Sequence, residues 1–405
     1  MNLKGKSVVL GVTGGIAAYK AAALCSHLVK AGAMVDVILT AAACEFVTPL
    51  TFQALTHRPV VTEMFALLAE TEIGHVSLAK RADLLIIAPV TANTIAKLAG
   101  GLADNMLTTT ALATQAPILL APAMESQMWT NSLTQENVAR LRKLRDVTLV
   151  GPDEGRLASG ALGPGRMAEP DAILDAARWV LGRAGPLAGR KVVVTAGGTR
   201  EPLDPIRFLG NRSSGRMGDS LARAARDLGA QVALISTAAQ PVPYGAKLVA
   251  VETAVEMRDA VMEIVPGSDV LIMAAAVADY GPGTVATEKI KKHSGDLVLT
   301  LSRRPDILAQ VAKARRPGQV IVGFAAETEN LLENARRKLQ RKHLDLIVVN
   351  DARQAMGAAT NQVTLLGPGD SVESLPLLSK DQVAVEILER IVRDLPHLTQ
   401  VEVET

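Results

Sequence analysis

Short apolar runs that stop at glycine, each followed by a helical pattern, recur along this chain. Val8 to Val12 is continuously apolar and breaks at Thr13-Gly14-Gly15; Ala17 to Lys30 then reads as a helix ended by Gly32. Val35 to Leu39, Leu84 to Ala88 and Pro117 to Ala121 are further strands with helical patterns between them. The plan restarts after Gly189. Val192 to Val194 run into Gly197-Gly198, a polar stretch follows, and a helix opens at about Met217. The spacing predicts strands at 191–196, 231–236, 269–274, 319–324 and 344–349, and helices near 216–228, 253–265, 305–314 and 329–341. The stretch from Gln362 to Leu377 reads as a hairpin or edge pair, and Ser379 to Arg393 as a closing helix. Continuous apolar strands alternating with helices mean parallel sheets covered on both faces. The fold class is therefore α/β, with two tandem parallel-sheet domains, 1–188 and 189–405, joined by the short linker Arg183 to Gly189.

Composition narrows the function classes. A chain of 405 residues with 48% apolar residues supports two folded cores. A net charge of +2 gives no bulk attraction to nucleic acid, and 2% aromatics is too few for a base-stacking platform. No apolar run is long enough to span a bilayer and the chain opens directly on a strand, so no membrane and a cytoplasmic location are expected. Cys25 and Cys44 have no partner spacing for zinc or a redox pair.

In such sheets ligands sit beyond the carboxyl ends of the strands. In the first domain those tips are rich in small polar residues. Thr13-Gly14-Gly15 before a helix offers backbone N–H groups and a positive dipole end to a phosphate, though a tight structural turn explains it equally well. Ala88-Pro89-Val90-Thr91-Ala92-Asn93-Thr94 adds hydroxyls and an amide at another tip, with Asn93 open to being a plain helix cap. Two such loops favour a phosphorylated cofactor. His75 lies at a helix start close to them; a lone histidine is more often a surface or capping residue, and this setting raises its standing.

The blocks GVTGGIAAYK, GHVSLAKRADLLIIAPVTANTIAKLAGGLADNMLT and PAMESQMW resemble the flavin-dependent cysteine decarboxylases. More narrowly, the resemblance is to the bacterial bifunctional phosphopantothenoylcysteine decarboxylase/phosphopantothenate–cysteine ligases, and it extends over residues 4 to 395. It implies a flavodoxin-like first domain holding FMN through Gly14, Gly15, Thr40, Ala88, Thr91, Asn93 and Thr94. It also implies His75 as the catalytic histidine and a substrate clamp over Ala121 to Trp129. Two positions depart from the family pattern. Glu125 stands where the family has asparagine, and a carboxylate there would repel the substrate carboxylate unless it is neutral or turned onto a cation. Ser159 stands where the family often has the cysteine that protonates an enethiol intermediate; a hydroxyl is a far weaker acid. The surrounding 155–166 segment is expected to be a glycine-rich flap.

In the second domain positive charge gathers at loops. Lys289, Lys291 and Lys292 follow a Gly281-Pro282-Gly283 turn, and Arg336, Arg337, Lys338, Arg341 and Lys342 crowd one helix. Repelling charges on one helix make sense beside an anion. Asp279 brings a carboxylate to a strand end, open to Mg²⁺, a base edge or a turn cap. These features outline a triphosphate pocket without a Walker A loop. The blocks TAGGTREPLDPIRFLGNRSSGRMG, AAAVADY, EKIKK, RPDIL, GFAAET and DLIVVND resemble the family's Rossmann-like ligase half. The resemblance implies CTP bound among Met273, Ala274, Ala275, Asp279, Pro305, Asp306, Ile307, Leu308, Phe324, Lys338 and Lys342. It further implies Mg²⁺ at Asp279 and catalysis by Asn211 and Lys289 through an acyl-cytidylate. The substrates implied are 4'-phosphopantothenate, cysteine and CTP, and a homo-oligomer is expected. The competing reading is an active ligase fused to an altered flavoprotein that stops at the oxidised enethiol or only binds FMN.

Overall fold

The computed structural model describes residues 3–64, 74–238, 241–292, 296–327, 329–351, 353, 357–369 and 371–394. The chain divides into two compact units, Met1–Leu181 and Gly182–Thr405. Leu187, inside the expected linker, is fully buried in the core of the second unit, and its N–H donates to Leu228 O at 2.8 Å.

The first unit is built on a parallel sheet of six strands. They are β1 (Ser7–Val12), β2 (Met34–Leu39), β3 (Val60–Val61), β4 (Leu84–Val90), β5 (Ile118–Pro122) and β6 (Val147–Leu149). Their order is β3-β2-β1-β4-β5-β6, so the direction of winding reverses between β1 and β4. All seven residues of β4 are buried, as a central strand between two helical layers requires. The edge strands β3 and β6 have two and three residues, too short for any apolar pattern to announce them. At the switch point Thr13 ties the two central tips together. Its hydroxyl donates to Pro89 O at 2.9 Å and accepts from the Thr91 N–H at 3.1 Å. The expected flap is an antiparallel hairpin of β7 (Asp153–Arg156) and β8 (Leu162–Arg166).

The second unit holds an eight-stranded sheet. Its members are β9 (Lys191–Ala196), β12 (Gln231–Ser236), β13 (Lys247–Ala250), β14 (Val270–Met273), β17 (Val320–Glu327), β18 (Leu346–Asp351), β20 (Thr364–Leu366) and β21 (Val372–Ser374). The order β13-β12-β9-β14-β17-β18-β20-β21 is parallel through β18, and the last two strands form the antiparallel edge pair. Three small two-stranded ladders decorate the loops: β10 (Arg200–Pro202) with β11 (Phe208–Gly210), β15 (Tyr280–Pro282) with β16 (Leu301–Arg303), and β19 (Thr360–Asn361) with β22 (Leu378–Ser379). Alternation along β9 sends Val192 and Val194 to one face and Val193 to the other. The first face is covered by helices Arg216–Asp227 and Lys380–Asp394. The second is covered by Ala254–Ile264, Ile307–Ala314 and Leu331–Arg341.

One buried group is at odds with its surroundings. Asp219, in the first turn of Arg216–Asp227, is 5% exposed, and its Oδ1 has no hydrogen-bond partner among the described residues. Burial raises its pKa from 3.8 to about 6, against the pull of Arg223. A raised carboxyl pKa favours the protonated fold, so the stability tied to this group is whole below pH 3.8 and is lost as pH rises through about 6. Asp219→Asn should therefore stabilise this helix at pH 7.5 by about 2–3 kcal/mol and change little at pH 4. Hydrogen-exchange protection of the helix amides at the two pH values measures it; equal effects at both would show that ionisation is not the cause.

Candidate active sites

Each sheet carries a cavity at its switch point. In the first unit the cavity measures about 530 Å³ and is bounded by Gly14 to Ala17, Thr91, Ala123 to Glu125 and Met128, with Arg156 to Ala158 and Gly165 to Met167 from the hairpin. The hairpin is held in place by two contacts. The Met124 N–H donates to Gly165 O at 3.0 Å, and Ser126 Oγ donates to Pro164 O at 2.7 Å.

The pocket suits a phosphorylated group. Helix Ala18–Lys30 begins without a side-chain cap, whereas the helices opening at Ala41 and Ala92 are capped by Thr40 and Thr91. Uncapped N–H groups at a helix start are ready donors to phosphate. Gly15 faces open space, and a side chain on Gly14 would come within 2.5 Å of the Ala42 Cβ, so the loop is pressed as close as glycine allows. Lys20 lines the same wall and pairs with Glu169 at 2.7 Å.

The implied FMN residues do not all reach this cavity. Gly14, Gly15 and Thr91 do. Thr40 and Thr94 serve the loops behind it. Thr40 Oγ1 accepts from the Ala43 N–H at 3.2 Å, and the buried Thr94 shares a hydroxyl contact with Thr91 at 3.2 Å. Ala88 is fully buried in β4. Asn93 is exposed and is not the cap; the cap is Thr91, which accepts from the Thr94 N–H at 3.3 Å. His75 is the second residue of helix Gly74–Arg81, which packs against Met106–Ala113, and it does not line the cavity. Its Nδ1 is buried and has no hydrogen-bond partner among the described residues. Glu125 lines the cavity and makes no ion pair among the described residues. Ser159 sits exposed at the hairpin tip, where its Oγ accepts from the Ala161 N–H at 3.3 Å, and is outside the wall. One network was illegible in the sequence. The buried carboxylate of Asp36 on β2 accepts from Arg58 at 2.7 Å and from Arg81 at 3.0 Å, fastening the end of the helix that carries His75.

The second unit's cavity measures about 410 Å³, and its wall contains Met273 to Ala275, Asp279, Pro305 to Leu308, Phe324, Lys338 and Lys342. Lys338 donates to Phe324 O at 2.7 Å, and burial pushes its pKa down, with Glu327 and Asp306 pulling it back. Lys342 pairs with Asp306. Burial works to raise the Asp306 pKa, but the bonds from Lys342 and the Ala309 N–H outweigh it and bring it down. Two enclosed lysines beside a half-buried phenylalanine suit a nucleotide. The described residues hold no group of three or more histidine, cysteine or acidic side chains able to bind a metal by themselves. Magnesium characteristically takes one or two carboxylates and completes its shell with phosphates and water.

Lys289 is exposed and outside this wall, yet its loop is tethered. The enclosed Asp204 carboxylate accepts from the N–H groups of Ile206 at 2.9 Å, Arg207 at 2.8 Å and Ile290 at 3.1 Å. Arg207 closes the loop by donating to Ile290 O at 2.6 Å. The hydrogen bonds from Arg207, together with those from the backbone, hold the Asp204 pKa well below the usual carboxylate range despite burial. Asn211 stands at the rim, donating to Ala276 O at 3.0 Å. The wall also contains Arg216 and Asn350, from the blocks ending GNRSSGRMG and DLIVVND, and Asn361 and Lys380, which lie outside the quoted motifs.

Family comparisons agree with this division. The Flavoprotein family model matches residues 1–181, and that of the DNA/pantothenate metabolism flavoprotein C-terminal domain matches residues 187–395. The chain is 46% identical over 396 residues to the Coenzyme A biosynthesis bifunctional protein CoaBC of Bacillus subtilis, covering 96% of this chain and 97% of that protein. It is 44% identical over 395 residues to the protein of the same name from Vibrio vulnificus, covering 96% and 98%. A crystal structure of the C-terminal domain of such a protein aligns with 40% identity, 53% of this chain, all of that chain and a TM-score of 0.46. By end-to-end similarity of both halves, the chain belongs to the family of coenzyme A biosynthesis bifunctional proteins.

Proposed function

We propose that the chain performs two successive steps of coenzyme A synthesis. The second unit joins cysteine to 4'-phosphopantothenate at the expense of CTP; the first decarboxylates the resulting phosphopantothenoylcysteine to 4'-phosphopantetheine. The observation that carries this reading is the match over 96% of the chain to bifunctional relatives, with a cavity at each sheet's switch point.

In the ligase half a carboxylate oxygen of the acid attacks the α-phosphorus of CTP, pyrophosphate leaves, and the amine of cysteine then displaces cytidine monophosphate from the acyl carbon. Lys338 and Lys342 hold the nucleotide, Asp279 would contribute a carboxylate to a Mg²⁺ that neutralises phosphate charge, and Lys289 offsets charge that grows on the reacting phosphate. Asn211 can hydrogen-bond the intermediate without adding charge. In the decarboxylase half Gly14, Gly15 and Thr91 hold FMN, which when bound supplies a reversible two-electron acceptor. The hairpin β7–β8 covers the substrate and excludes water, and Glu125 stands where the departing carboxylate is positioned. The enethiol's proton donor is not Ser159, whose hydroxyl points into its own turn. We further propose that the enzyme is a cytoplasmic homo-oligomer. A flavoprotein half that stops at the enethiol rests on Glu125 and Ser159 alone and is not favoured beside bifunctional relatives matched end to end.

Incubation with 4'-phosphopantothenate, cysteine, CTP and Mg²⁺ should give 4'-phosphopantetheine by mass spectrometry. Accumulation of phosphopantothenoylcysteine or of an oxidised enethiol would overturn the decarboxylase assignment, and absence of any cysteine adduct would overturn the ligase.

A further inference from the structure

Asp279 and Asp306, the carboxylates in the wall of the second unit's cavity, come from opposite ends of one small ladder. Asp279 precedes β15 and Asp306 follows β16, and the two strands pair with Tyr280 opposite Arg303. Next to that pair the Arg304 N–H donates to Asp279 O at 2.8 Å. Two residues on, Asp306 caps helix Ile307–Ala314 by accepting from the Ala309 N–H at 3.0 Å, and it pairs with Lys342. Where Arg304 stands therefore decides where both carboxylates stand. A two-stranded ladder is marginally stable at best by itself, so something must moor it.

The mooring is an enclosed ion pair. Arg304 Nε donates to Glu201 Oε2 at 2.7 Å, and its Nη2 donates to Pro282 O at 3.0 Å, back across the ladder. Glu201, on β10, is 1% exposed, and its other oxygen accepts from the Ala254 N–H at 2.9 Å. Ala254 opens the helix Ala254–Ile264, whose own capping box is made by Thr253 and Glu256. The guanidinium is pressed against Gly281, where a Cβ would come within 2.4 Å of Nε and Nη2. Just before Glu201, the buried Thr199 holds the loop that leads to Asp279. Its Oγ1 accepts from the Ala278 N–H at 2.9 Å and its N–H donates to Ala276 O at 3.2 Å. Neither Glu201 nor Arg304 is part of the cavity wall. An enclosed ion pair adds little net stability over an apolar pair of the same size, so the effect of this one is on where the chain is held.

We propose that Glu201 and Arg304 are positioning residues for the ligase: their ion pair fixes Asp279 and Asp306 against the body of the second unit, so that CTP with its Mg²⁺ finds both carboxylates already in place. The inference rests on the ligase reading and deepens it. Groups held in advance lose less freedom when a ligand arrives, so loosening them weakens binding without removing any contact to the ligand.

Full-length wild type, Arg304→Met, Glu201→Gln and the double variant are titrated calorimetrically with CTP in the presence of Mg²⁺, and KM is measured for CTP and for cysteine. Arg304→Met should weaken CTP by about tenfold, the usual loss when a supporting partner of a metal or ligand site is removed. KM for CTP should rise in proportion, while KM for cysteine and the rate of decarboxylation stay within about twofold of wild type. The double variant should bind CTP within about twofold of Arg304→Met, because the first substitution already breaks the unit. Arg304→Lys should recover most of the loss. Should Arg304→Met fail to fold, Gly281→Ala, which leaves both charges and displaces the guanidinium, decides by the same measurements. A lowered melting temperature with unchanged CTP affinity, a parallel rise of KM for CTP and cysteine, or additive losses in the double variant would each overturn the proposal. A wild-type protein that ignores CTP would sink the ligase reading itself, whereas wild-type affinity kept by the variants sinks only the positioning role.

Discussion

Replacing Lys289 by glutamine should slow acyl-cytidylate formation by about two to three orders of magnitude while changing CTP affinity little. The substitution removes the charge and keeps a polar side chain one bond shorter. A preorganised cation opposite growing negative charge contributes mainly in the transition state, so its loss falls on kcat rather than on ground-state binding. The structural basis is the tether one residue away. Ile290 is gripped at its N–H by Asp204 and at its carbonyl by Arg207, so an exposed lysine is mounted on a fixed stalk. Asn211→Asp should behave differently, allowing the cytidylate to form but impairing its transfer to cysteine. Rapid-quench measurement of pyrophosphate release in a single turnover distinguishes the two. Release by Lys289→Gln within about twofold of wild type would remove the lysine from the reaction.

Gly165→Ala should abolish decarboxylation, by about a hundredfold or more, and leave cysteine ligation unchanged. Gly165 sits at φ +154, and a Cβ there would lie 2.2 Å from Met124 O, a backbone atom that has no rotamer to escape into. The hairpin would have to lift off the Met124 loop, breaking the Met124 N–H to Gly165 O bond and unseating Ser126 from Pro164. An opened lid admits water and loses the clamp on substrate, the kind of misplacement that costs about a hundredfold in rate. Assaying the two half-reactions separately in one preparation makes the ligase an internal control for folding. Normal decarboxylation in the alanine variant would show that the hairpin does not need to close.

The strands could be read because their physics is local. Val8 to Val12, Leu84 to Ala88 and Val192 to Val194 are buried on both sides, and a strand so placed must be apolar throughout. The hairpin β7–β8 was hidden because Asp-Glu-Gly-Arg and Leu-Gly-Pro-Gly-Arg carry neither alternation nor β-branched residues; a pinned glycine and two bonds to the Met124 loop hold it. The residues from Met273 to Lys342 that the resemblance implied do line one cavity of the second unit, because they lie at the strand tips and helix ends around it. Lys380 and Asn361 were not legible, because a single lysine at a helix start and a single asparagine in a loop have no local signature. The grip of Asp36 on Arg58 and Arg81, 22 and 45 positions away, was equally invisible. His75 reads as a neighbour of the flavin loops along the chain, but its helix packs on Met106–Ala113 instead of entering the cavity wall.

The closing helix Lys380–Asp394 has a bearing on biogenesis. It supplies Val383, Ile387, Leu388 and Ile391 to the core begun by Val192, and Ser220 reaches Asp381 across 161 positions. The ligase half therefore cannot mature until helix Lys380–Asp394 has left the ribosome, whereas the flavoprotein half has all its sheet in hand at Leu149. During synthesis the growing polypeptide passes through a stage with one finished globule and one open, sticky sheet. A premature stop anywhere in the final helix should yield a protein that still turns yellow but is cleared by proteolysis from its far end.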